Sequence, residues 1–458
     1  MSREEKVDVA EAAPVAEAAA VPRLRFPGEA GAESQPWMAT SLGDLYEFTS
    51  TNSLSRADLT HQGGQILNLH YGDIHVKLPP WVRLGSADLS WVCRAKEAAV
   101  LRQKALSPGD VVLADASEDM ADIGKAVEII DVGDTPAVAG LHTIHASPRA
   151  GKELARGFAA YLLRSEAVRR QICRQAHGTK VLGLTPPRVG RVEVLVPCVT
   201  EQRKIASFIG AVDLKLDTLR QQKDALARFK TGLMQKLFSQ ETRFTREDGS
   251  AFPEWTTATV AELFDFHPTN SLSRADLASE AEGEYLNVHY GDIHTRLPQL
   301  LDLKRPRLPS IRPEKTYLAV RQRPLGRGDI VLADASEDLA DVGKAVEILH
   351  TGDKPVVAGL HTIHASPKAD RALAPGFAAY LFGSPAVRRC IEVEAHGTKV
   401  AGISTTRLGR VSMRIPDVAE QEKIVGALSS LDDKIAAVAD QITQMEIFKK
   451  GLLQQMFV

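Results

Sequence analysis

The chain contains 458 residues, 44% hydrophobic and 25% charged, which is the composition of an ordinary soluble globular protein. Its 56 basic and 58 acidic side chains give a net charge of −2, which argues against nucleic-acid binding through a uniformly basic surface. No apolar run approaches the ~18 residues of a membrane-spanning helix, no secretory pattern opens the chain, and four cysteines do not make a disulfide framework. These features predict a cytoplasmic globular protein.

The elements predicted before residue 200 are short. Residues 1–22 are rich in Ala and Glu and contain no aromatic residue, which predicts a disordered tail. Further on, residues 109–114 and 124–130 combine β-branched side chains with Gly and Asp punctuation, which predicts strands. Residues 158–172 predict two short helices, and residues 192–197 predict a strand that ends at a proline.

Two long helices are predicted, over residues 201–238 and 420–457. Their apolar residues alternate at spacings of four and three, the a/d seam of a coiled coil. The seam positions are Ile205, Ile209, Val212, Leu216, Leu219, Lys223, Leu226, Lys230, Leu233 and Leu237, and Ile424, Leu428, Leu431, Ile435, Val438, Ile442, Met445, Lys449, Leu452 and Met456. Each helix is compatible with packing on its own domain, but five heptads in both favour pairing of the helices with each other. Lys230 and Lys449 share one seam position, where a polar residue sets register at some cost in stability.

The body of the chain is an internal repeat. Residues 109–182 and 328–401 are identical at 53 of 74 positions. The string TNSLSRADL occurs at 51–59 and again at 269–277, and HYGDIH and AHGTKV recur at offsets of 219. A solenoid repeat has a period of ~20–50 residues, so this longer period indicates two copies of a whole domain unit, 26–238 and 244–457.

In both copies an HGTKV turn precedes a strand that ends in Pro, a Glu-Gln pair and a long helix, which closes with FKTGLMQKLF or FKKGLLQQMF. This order resembles the specificity subunit of type I restriction–modification systems over essentially all of 26–457. The resemblance implies an α+β fold with two pseudo-twofold-related globular target-recognition domains separated by a long antiparallel two-helix coiled coil. By resemblance, target-recognition domains 1 and 2 are residues 23–200 and 244–419, and the spacer helices are residues 201–243 and 420–458.

The resemblance also implies a function and partners. A specificity subunit is a non-catalytic subunit that reads a split site in double-stranded DNA and holds two DNA adenine methyltransferase subunits, which restriction subunits can join. We then expect no cofactor in this chain, with S-adenosylmethionine used in the complex, and ATP and Mg²⁺ if restriction subunits are present. The two recognition domains of this family usually differ, whereas here they are close copies. We therefore hypothesise that both read the same short sequence on opposite strands, which makes the target an interrupted inverted repeat.

The sequence contains no convincing catalytic signature. Residues 78–81 (Leu-Pro-Pro-Trp) lack the Asp or Asn of an amino-methyltransferase motif, and Gly124-Lys125 is followed by Ala rather than by the Ser or Thr of a phosphate loop. A stand-alone nuclease that uses repeated acidic clusters with Mg²⁺ is one alternative, and a free DNA-binding regulator is another. The clusters are Asp115, Glu118, Asp119 and Asp122, and Asp334, Glu337, Asp338 and Asp341. A solvated polar loop is the simpler interpretation of these carboxylates.

Polar strings repeated between the copies are candidates for DNA contact, because Asn and Arg bond base edges and Ser and Lys bond phosphates. They are Asn52, Ser53, Ser55, Arg56, Asn68, His70, Tyr71 and His75, with counterparts Asn270, Ser271, Ser273, Arg274, Asn287, His289, Tyr290 and His294. A short turn of Gly178, Thr179 and Lys180, repeated as Gly397, Thr398 and Lys399, suits phosphate contact. The resemblance implies a DNA-backbone role for its Gly-Thr. The alternative for each of these residues is ordinary turn chemistry.

Two further features bear on binding. Residues 83–104 and 302–323 carry local charges of +3 and +5, and such basic patches steer DNA. His142 and His145, repeated as His361 and His364, lie three apart on a predicted strand and so point to opposite faces, which disfavours a shared metal and leaves packing, surface exposure or DNA contact as their role. No metal site is therefore expected in this chain.

Overall fold

The structure is a computed structural model that describes residues 22–26, 36–278, 282–304, 308–397 and 399–457. All of the predicted disordered tail except Pro22 lies outside these ranges. The chain folds into two compact units, unit 1 formed by Met1–Leu219 with Asp440–Val458 and unit 2 formed by Arg220–Ala439. Among the described residues, no helix is both long and apolar enough to cross a membrane.

Unit 1 combines short strands with short helices. Its strands are β1 (Met38–Ser41), β2 (Tyr46–Thr49), β3 (Leu59–Thr60), β4 (Leu67–Leu69), β5 (Trp81–Arg83), β6 (Ser90–Val92), β7 (Val111–Ala114), β8 (Ala116–Ser117), β9 (Ala126–Asp131), β10 (Ala137–Ala139), β11 (Thr143–Pro148), β12 (Leu182–Gly183) and β13 (Glu193–Val196). Its short helices are α1 (Leu42–Leu45), α2 (Tyr71–Val76), α3 (Glu97–Val100), α4 (Phe158–Leu162), α5 (Glu166–Gln175) and α6 (Pro186–Gly190).

These strands form a five-stranded sheet in the order β2-β11-β7-β9-β5 and a four-stranded sheet in the order β10-β4-β6-β3. Neighbouring strands are antiparallel except for the parallel pairs β5–β9 and β4–β10. The pairs β1–β13 and β8–β12 form separate two-stranded sheets.

Both faces of the five-stranded sheet are buried. Val111 and Leu113 on β7 pack with the helices of the unit, whereas Val112 and Ala114 belong to the core that includes Leu67 and Leu69 of the four-stranded sheet. Burial on both faces explains why β7 is a continuous apolar run rather than an alternating one.

Unit 2 repeats this arrangement. Its strands are β14 (Thr256–Thr259), β15 (Phe264–His267), β16 (Leu277–Ala278), β17 (Leu286–Val288), β18 (Leu300–Asp302), β19 (Ser310–Ile311), β20 (Ile330–Ala333), β21 (Ala335–Ser336), β22 (Ala345–His350), β23 (Val356–Ala358), β24 (Thr362–Pro367), β25 (Ala401–Gly402) and β26 (Ser412–Ile415). Its short helices are α8 (Val260–Leu263), α9 (Tyr290–Thr295), α10 (Thr316–Ala319), α11 (Phe377–Gly383), α12 (Pro385–Glu394) and α13 (Thr405–Arg410). The sheet orders are β15-β24-β20-β22-β18 and β16-β19-β17-β23, with β14–β26 and β21–β25 as two-stranded pairs.

The two long helices span Val199–Phe238 and Val418–Met456. They are α7 and α14 in chain order and are called the first and second long helix below. In unit 1, Ile205 and Ile209 near the start of the first belong to the same core as Leu452 and Met456 near the end of the second. In unit 2 the same holds for Leu237 and Leu428. The start of each helix thus packs with the end of the other, which confirms the predicted antiparallel pairing. The residue limits predicted for the recognition domains stay predictions.

The polar seam residues that recur in both helices, Lys230 and Lys449, lie in ion pairs. Lys230 of the first long helix has its Nζ 2.6 Å from Oδ1 of Asp432 in the second. Lys449 of the second long helix has its Nζ 2.5 Å from Oδ1 of Asp213 in the first. Each Asp also accepts a hydrogen bond from a tyrosine of a short helix: Tyr161 for Asp213 at 3.0 Å and Tyr380 for Asp432 at 2.8 Å. The seam charges therefore join the helix pair to the globular part of each unit.

Candidate nucleic-acid interface

The predicted Gly-Thr-Lys turn is an exposed loop closed by a short backbone ladder. His177 and Gly183 exchange two backbone hydrogen bonds of 3.1 and 2.8 Å. Gly178 has φ 140°, and a Cβ there would collide with the carbonyl oxygen of Val181, so this position needs glycine. Thr179 and Lys180 are exposed. Their donors are thus available to a phosphate.

Unit 2 builds the same turn. His396 and Gly402 are paired through two backbone hydrogen bonds of 2.9 Å, and Gly397 has φ 145°. Lys399 is exposed, and Thr398 lies outside the described residues. The predicted turn therefore has an equivalent geometry in both copies wherever the structure describes it.

The turn is tied to the loop that follows β7. Strand β12, which follows the turn, pairs with β8, and the amide of Leu184 donates to the carbonyl of Asp115 at 2.8 Å. Oδ1 of Asp115 lies 3.4 Å from Nδ1 of His142. Burial raises the pKa of Asp115 above its ordinary value, although the neighbouring His142 favours the ionised carboxylate.

Helix α2 lies beside the same loop. The ring of Tyr71 meets the rings of His75 and His142 edge-on, with centroids 5.5 and 5.3 Å apart. Nε2 of His75 bonds the carbonyl oxygen of Ala116 at 3.2 Å. Two of the predicted residues, Tyr71 and His75, are thus brought to the Asp115 loop, and through it to the turn that carries Lys180.

His70 begins helix α2 rather than facing solvent. It is 4% exposed, and its Nδ1 accepts a hydrogen bond from the amide of Gly72 at 3.2 Å. Burial, together with the nearby charge of Arg56, lowers the pKa of His70 to about 4. The ring is therefore neutral at pH 7, as acceptance of the Gly72 bond requires. His289 has the same capping bond and a lowered pKa in unit 2.

Three of the four predicted asparagines are buried, and the fourth, Asn52, is partly exposed. Asn68 and Asn287 are 0% exposed, and each shares a hydrogen bond with the preceding predicted asparagine, Asn52 at 3.2 Å or Asn270 at 3.0 Å. In this conformation the amides of Asn68 and Asn287 cannot reach a groove edge. They support the loops instead, as the alternative of turn chemistry implies.

Arg56 and Arg274 each form an ion pair with a buried carboxylate and are partly exposed. Nη2 of Arg56 lies 2.9 Å from the buried carboxylate of Asp73, and Nη2 of Arg274 lies 2.8 Å from that of Asp292. The side chains of Arg56 and Arg274 are 46% and 53% exposed. The hydroxyls of the predicted Ser55 and Ser273 bond the carboxylates that cap their own turns, whereas Ser53 and Ser271 are exposed. DNA contact by these residues stays a prediction.

The sequence left DNA contact open as one role of His142 and His361 but did not place them among the predicted interface residues. Both have a left-handed backbone, with φ 54° and 51°, and precede a strand instead of lying within it. The histidines three residues later in the chain are buried instead: His145 is fully buried, and its Nε2 lies 2.7 Å from Oδ2 of Asp110. Recurrence of His142 in both copies was the one available sequence signal, because a left-handed non-glycine residue has no motif of its own.

Most basic side chains of the two basic stretches are exposed where they are described. Arg94, Arg102 and Lys104 in unit 1 and Arg321 in unit 2 face solvent, whereas Arg305 and Arg307 lie outside the described residues. Lys96 is exposed but lies 3.3 Å from Asp58. These side chains are compatible with a role in attracting DNA.

The acidic clusters are engaged in local contacts. Asp119 accepts the amide of Ala121 at 2.9 Å, and Asp122 lies 3.5 Å from Lys125. Within the described ranges, no group of three or more His, Cys, Asp or Glu side chains is placed to hold a metal ion. The nuclease alternative thus gains no support from these residues.

Comparisons of the sequence and of the structure with known proteins point to the same group of proteins. No family model matches the chain. It is 23% identical over 289 residues to the type I restriction enzyme MjaVIII specificity subunit of Methanocaldococcus jannaschii. This alignment covers 61% of the present chain and spans 64% of the length of that relative.

Two solved structures resemble nearly the whole chain. The S subunit of a type I restriction–modification system from M. genitalium has a TM-score of 0.54 at 13% identity and covers 96% of this chain and 99% of its own. A chain from a structural study of complex assembly and conformational transition in the type I restriction–modification system has a TM-score of 0.53 at 16% identity, with coverages of 92% and 97%. The likeness to specificity subunits that the sequence predicts is confirmed, and the chain has their fold.

Proposed function

We propose that this protein is the DNA-recognition subunit and scaffold of a type I restriction–modification complex. The observation that carries the proposal is the fold itself: two units built alike, each with a turn that exposes a lysine, Lys180 or Lys399, and a pair of long antiparallel helices. In this role the chain binds double-stranded DNA and has no catalytic step of its own.

We further propose that both units read the same sequence on opposite strands. Supporting this, the candidate residues of the polar strings and of the Gly-Thr-Lys turn are identical in the two units, including Tyr71 and Tyr290, and His142 matches His361. The basic stretches differ, since Arg94 corresponds to Pro313. The distance from Nδ1 of the histidine to the carboxylate is 3.4 Å in unit 1 and 3.3 Å in unit 2. Equal chemistry in equal geometry predicts equal half-sites, in an interrupted inverted repeat.

Two methyltransferase subunits and possible restriction subunits are the proposed protein partners. In support, the long helices expose phenylalanines at equivalent positions, with Phe229 61% and Phe448 48% exposed. Gly232 and Gly451 lie one helical turn further on, and a Cβ at either would meet no atom within 4 Å. Glycine inside a helix destabilises it, so a close approach by a partner backbone would account for both features.

The chemistry of the complex is proposed to lie in those partners. S-adenosylmethionine would bind the methyltransferase chains, and ATP and Mg²⁺ the restriction chains where these are present. The residues of the present chain would then supply sequence recognition and attachment only.

The proposal is tested by mapping modified adenines in host DNA with and without the gene, and by identifying the chains that copurify with the protein. We expect adenine methylation at an interrupted inverted repeat that disappears when the gene is removed, and methyltransferase chains in the purified complex. Unchanged methylation on removal would refute the proposed function. An asymmetric bipartite site would refute only the equality of the half-sites.

A further inference from the structure

His142 in unit 1 and His361 in unit 2 have a backbone conformation that few non-glycine residues adopt. Within the described ranges, the non-glycine residues with positive φ are His142, His361 and Gln240. The left-handed region brings Cβ close to the following carbonyl oxygen, so most L-residues avoid it. Glycine would relieve this strain. Retention of histidine at the same position of both units indicates that the imidazole itself has a use there.

The surroundings fix the backbone of His142 firmly. Its carbonyl accepts the amide of Asp115 at 3.0 Å, and the carbonyl of Leu141 accepts the amide of Tyr71 at 3.3 Å. Behind this turn, a Cβ on Gly140 would collide with the side chain of the buried Asn68. The asparagines predicted to contact DNA therefore support the turn that presents His142.

The imidazole of His142 contacts a carboxylate and an aromatic ring and is otherwise exposed to solvent. Nδ1 lies 3.4 Å from Asp115, the Tyr71 ring stands perpendicular to it at 87°, and 49% of the side chain is exposed. His361 repeats this with Asp334 at 3.3 Å, Tyr290 at 83° and 51% exposure. The polar contact of each ring is made by Nδ1, and none of the described residues forms a hydrogen bond with Nε2 of His142 or His361.

The chemistry follows from the Asp contact. With the proton on Nδ1, facing the carboxylate, Nε2 of the neutral ring presents a lone pair. In the major groove an acceptor of this kind pairs with an exocyclic amine, which only adenine (N6) and cytosine (N4) present there.

We propose that His142 and His361 each read the exocyclic amine of one base, at equivalent positions of the two half-sites. Asp115 and Asp334 act as positioning residues that select the tautomer. This inference rests on the proposed DNA-recognition function and names the residue of each unit that would determine one base of its target.

The test uses the full chain together with the methyltransferase chains that copurify with it. Wild type and the variants His142→Gly and His361→Gly select binding sites from DNA randomised in both half-sites. Glycine accepts the left-handed backbone without strain, so the fold is kept while the imidazole is lost. Gln240→Gly is the matched control, because it relieves the same strain at a position outside the interface.

We expect His142→Gly to lower the preference for one base pair in one half-site about tenfold, and His361→Gly to do so in the other half-site. Gln240→Gly should leave the selected sequence unchanged. In the wild type the affected base should be adenine or cytosine. Replacing adenine by purine, or cytosine by pyrimidin-2-one, removes the amine and should weaken wild-type binding but not that of the variant.

Three outcomes would overturn the inference while leaving the proposed function intact. They are an unchanged selected sequence in both variants, a uniform loss of affinity for all sequences, and a guanine or thymine at the affected position. A wild-type complex that selects no sequence at all would refute the proposed function instead.

Discussion

Lys230 and Asp432 form an ion pair between the two long helices, with Nζ 2.6 and 2.9 Å from the two carboxylate oxygens. Only 14% of the lysine side chain is exposed, and Tyr380 donates a further hydrogen bond to the same carboxylate at 2.8 Å. The polar side chain of Lys230, at an otherwise apolar seam, thus connects the two long helices with a short helix of unit 2 through Asp432. Lys449, Asp213 and Tyr161 form the equivalent junction in unit 1.

Replacing Lys230 by methionine should destabilise the protein, because the partly buried Asp432 loses its cation. Hydrogen bonds to charged groups are worth about 1.5–3 kcal/mol, and we expect a loss within or just below this range in the free energy of unfolding. Urea denaturation of the full chain measures it. Lys223→Met, an exposed seam position of the same helix, is the matched control and should change stability by less than about 0.5 kcal/mol. A double variant with the charges exchanged, Lys230→Asp with Asp432→Lys, should recover part of the lost free energy of unfolding. Equal destabilisation by Lys230→Met and Lys223→Met would contradict the role of the ion pair.

Gly178→Ala and Gly397→Ala should disrupt the exposed turns. Each Cβ would meet a carbonyl oxygen, and a φ of 140° or 145° disfavours alanine, so the turn must rearrange at a cost of order 1–3 kcal/mol. We expect weaker DNA binding by the complex, measured by fluorescence anisotropy, with folding retained. Gly151→Ala has a comparable backbone strain, with φ 73°, and no atom near its Cβ, so it should leave DNA affinity unchanged.

Lys180→Gln combined with Lys399→Gln should weaken binding to all DNA sequences alike, because lysine neutralises phosphates without reading bases. Loss of two phosphate contacts should reduce the slope of log affinity against log salt by about 2. Titrations at several salt concentrations give that slope. Lys152→Gln, also exposed, serves as a control for a general loss of positive charge. An unaltered slope would remove the phosphate-contact assignment of the turn.

The repeat and the helix pairing could be predicted because both depend on patterns that a sequence displays directly. Spacing of Ile205, Ile209 and Val212 already identifies a buried helix face. The placement of Asn68 could not be predicted, since an Asn in a polar string has the same appearance whether it faces DNA or bonds a neighbouring Asn. The left-handed backbone of His142 and the order of the strands arise from tertiary contacts, which no local pattern records.

Glu128 and Glu347 should make stability depend on pH. Burial raises the pKa of each carboxyl to about 7, although Glu128 accepts the amides of Gly157 and Ala160 at 2.7 and 2.8 Å. An exposed glutamate titrates near 4.5. Between these pH values the folded state keeps protons that the unfolded state has released, so the free energy of unfolding should fall as pH rises from about 4.5 to about 7. The fall is at most about 3 kcal/mol for each carboxyl.

The double variant Glu128→Gln/Glu347→Gln isolates this contribution from other titrating groups. Its free energy of unfolding, measured in urea at pH 5 and at pH 7.5, should differ less between the two conditions than that of the wild type. Glu118→Gln changes an exposed carboxyl and should keep the wild-type dependence. An unchanged pH dependence in the double variant would show that these carboxyls stay ionised when buried.

Phe229→Ser and Phe448→Ser address the proposed attachment of two methyltransferase chains. Both side chains are largely exposed, so each change should leave the stability of the isolated chain within about 0.5 kcal/mol. Each single variant should copurify with one methyltransferase chain, and the double variant with none, as counted by native mass spectrometry. Leu214→Ser is the control, because Leu214 is 69% exposed on the first long helix but is replaced by Asp433 in the second copy. A repeated partner requires a repeated surface, so loss of binding by Leu214→Ser together with retention by the phenylalanine variants would place the attachment site elsewhere.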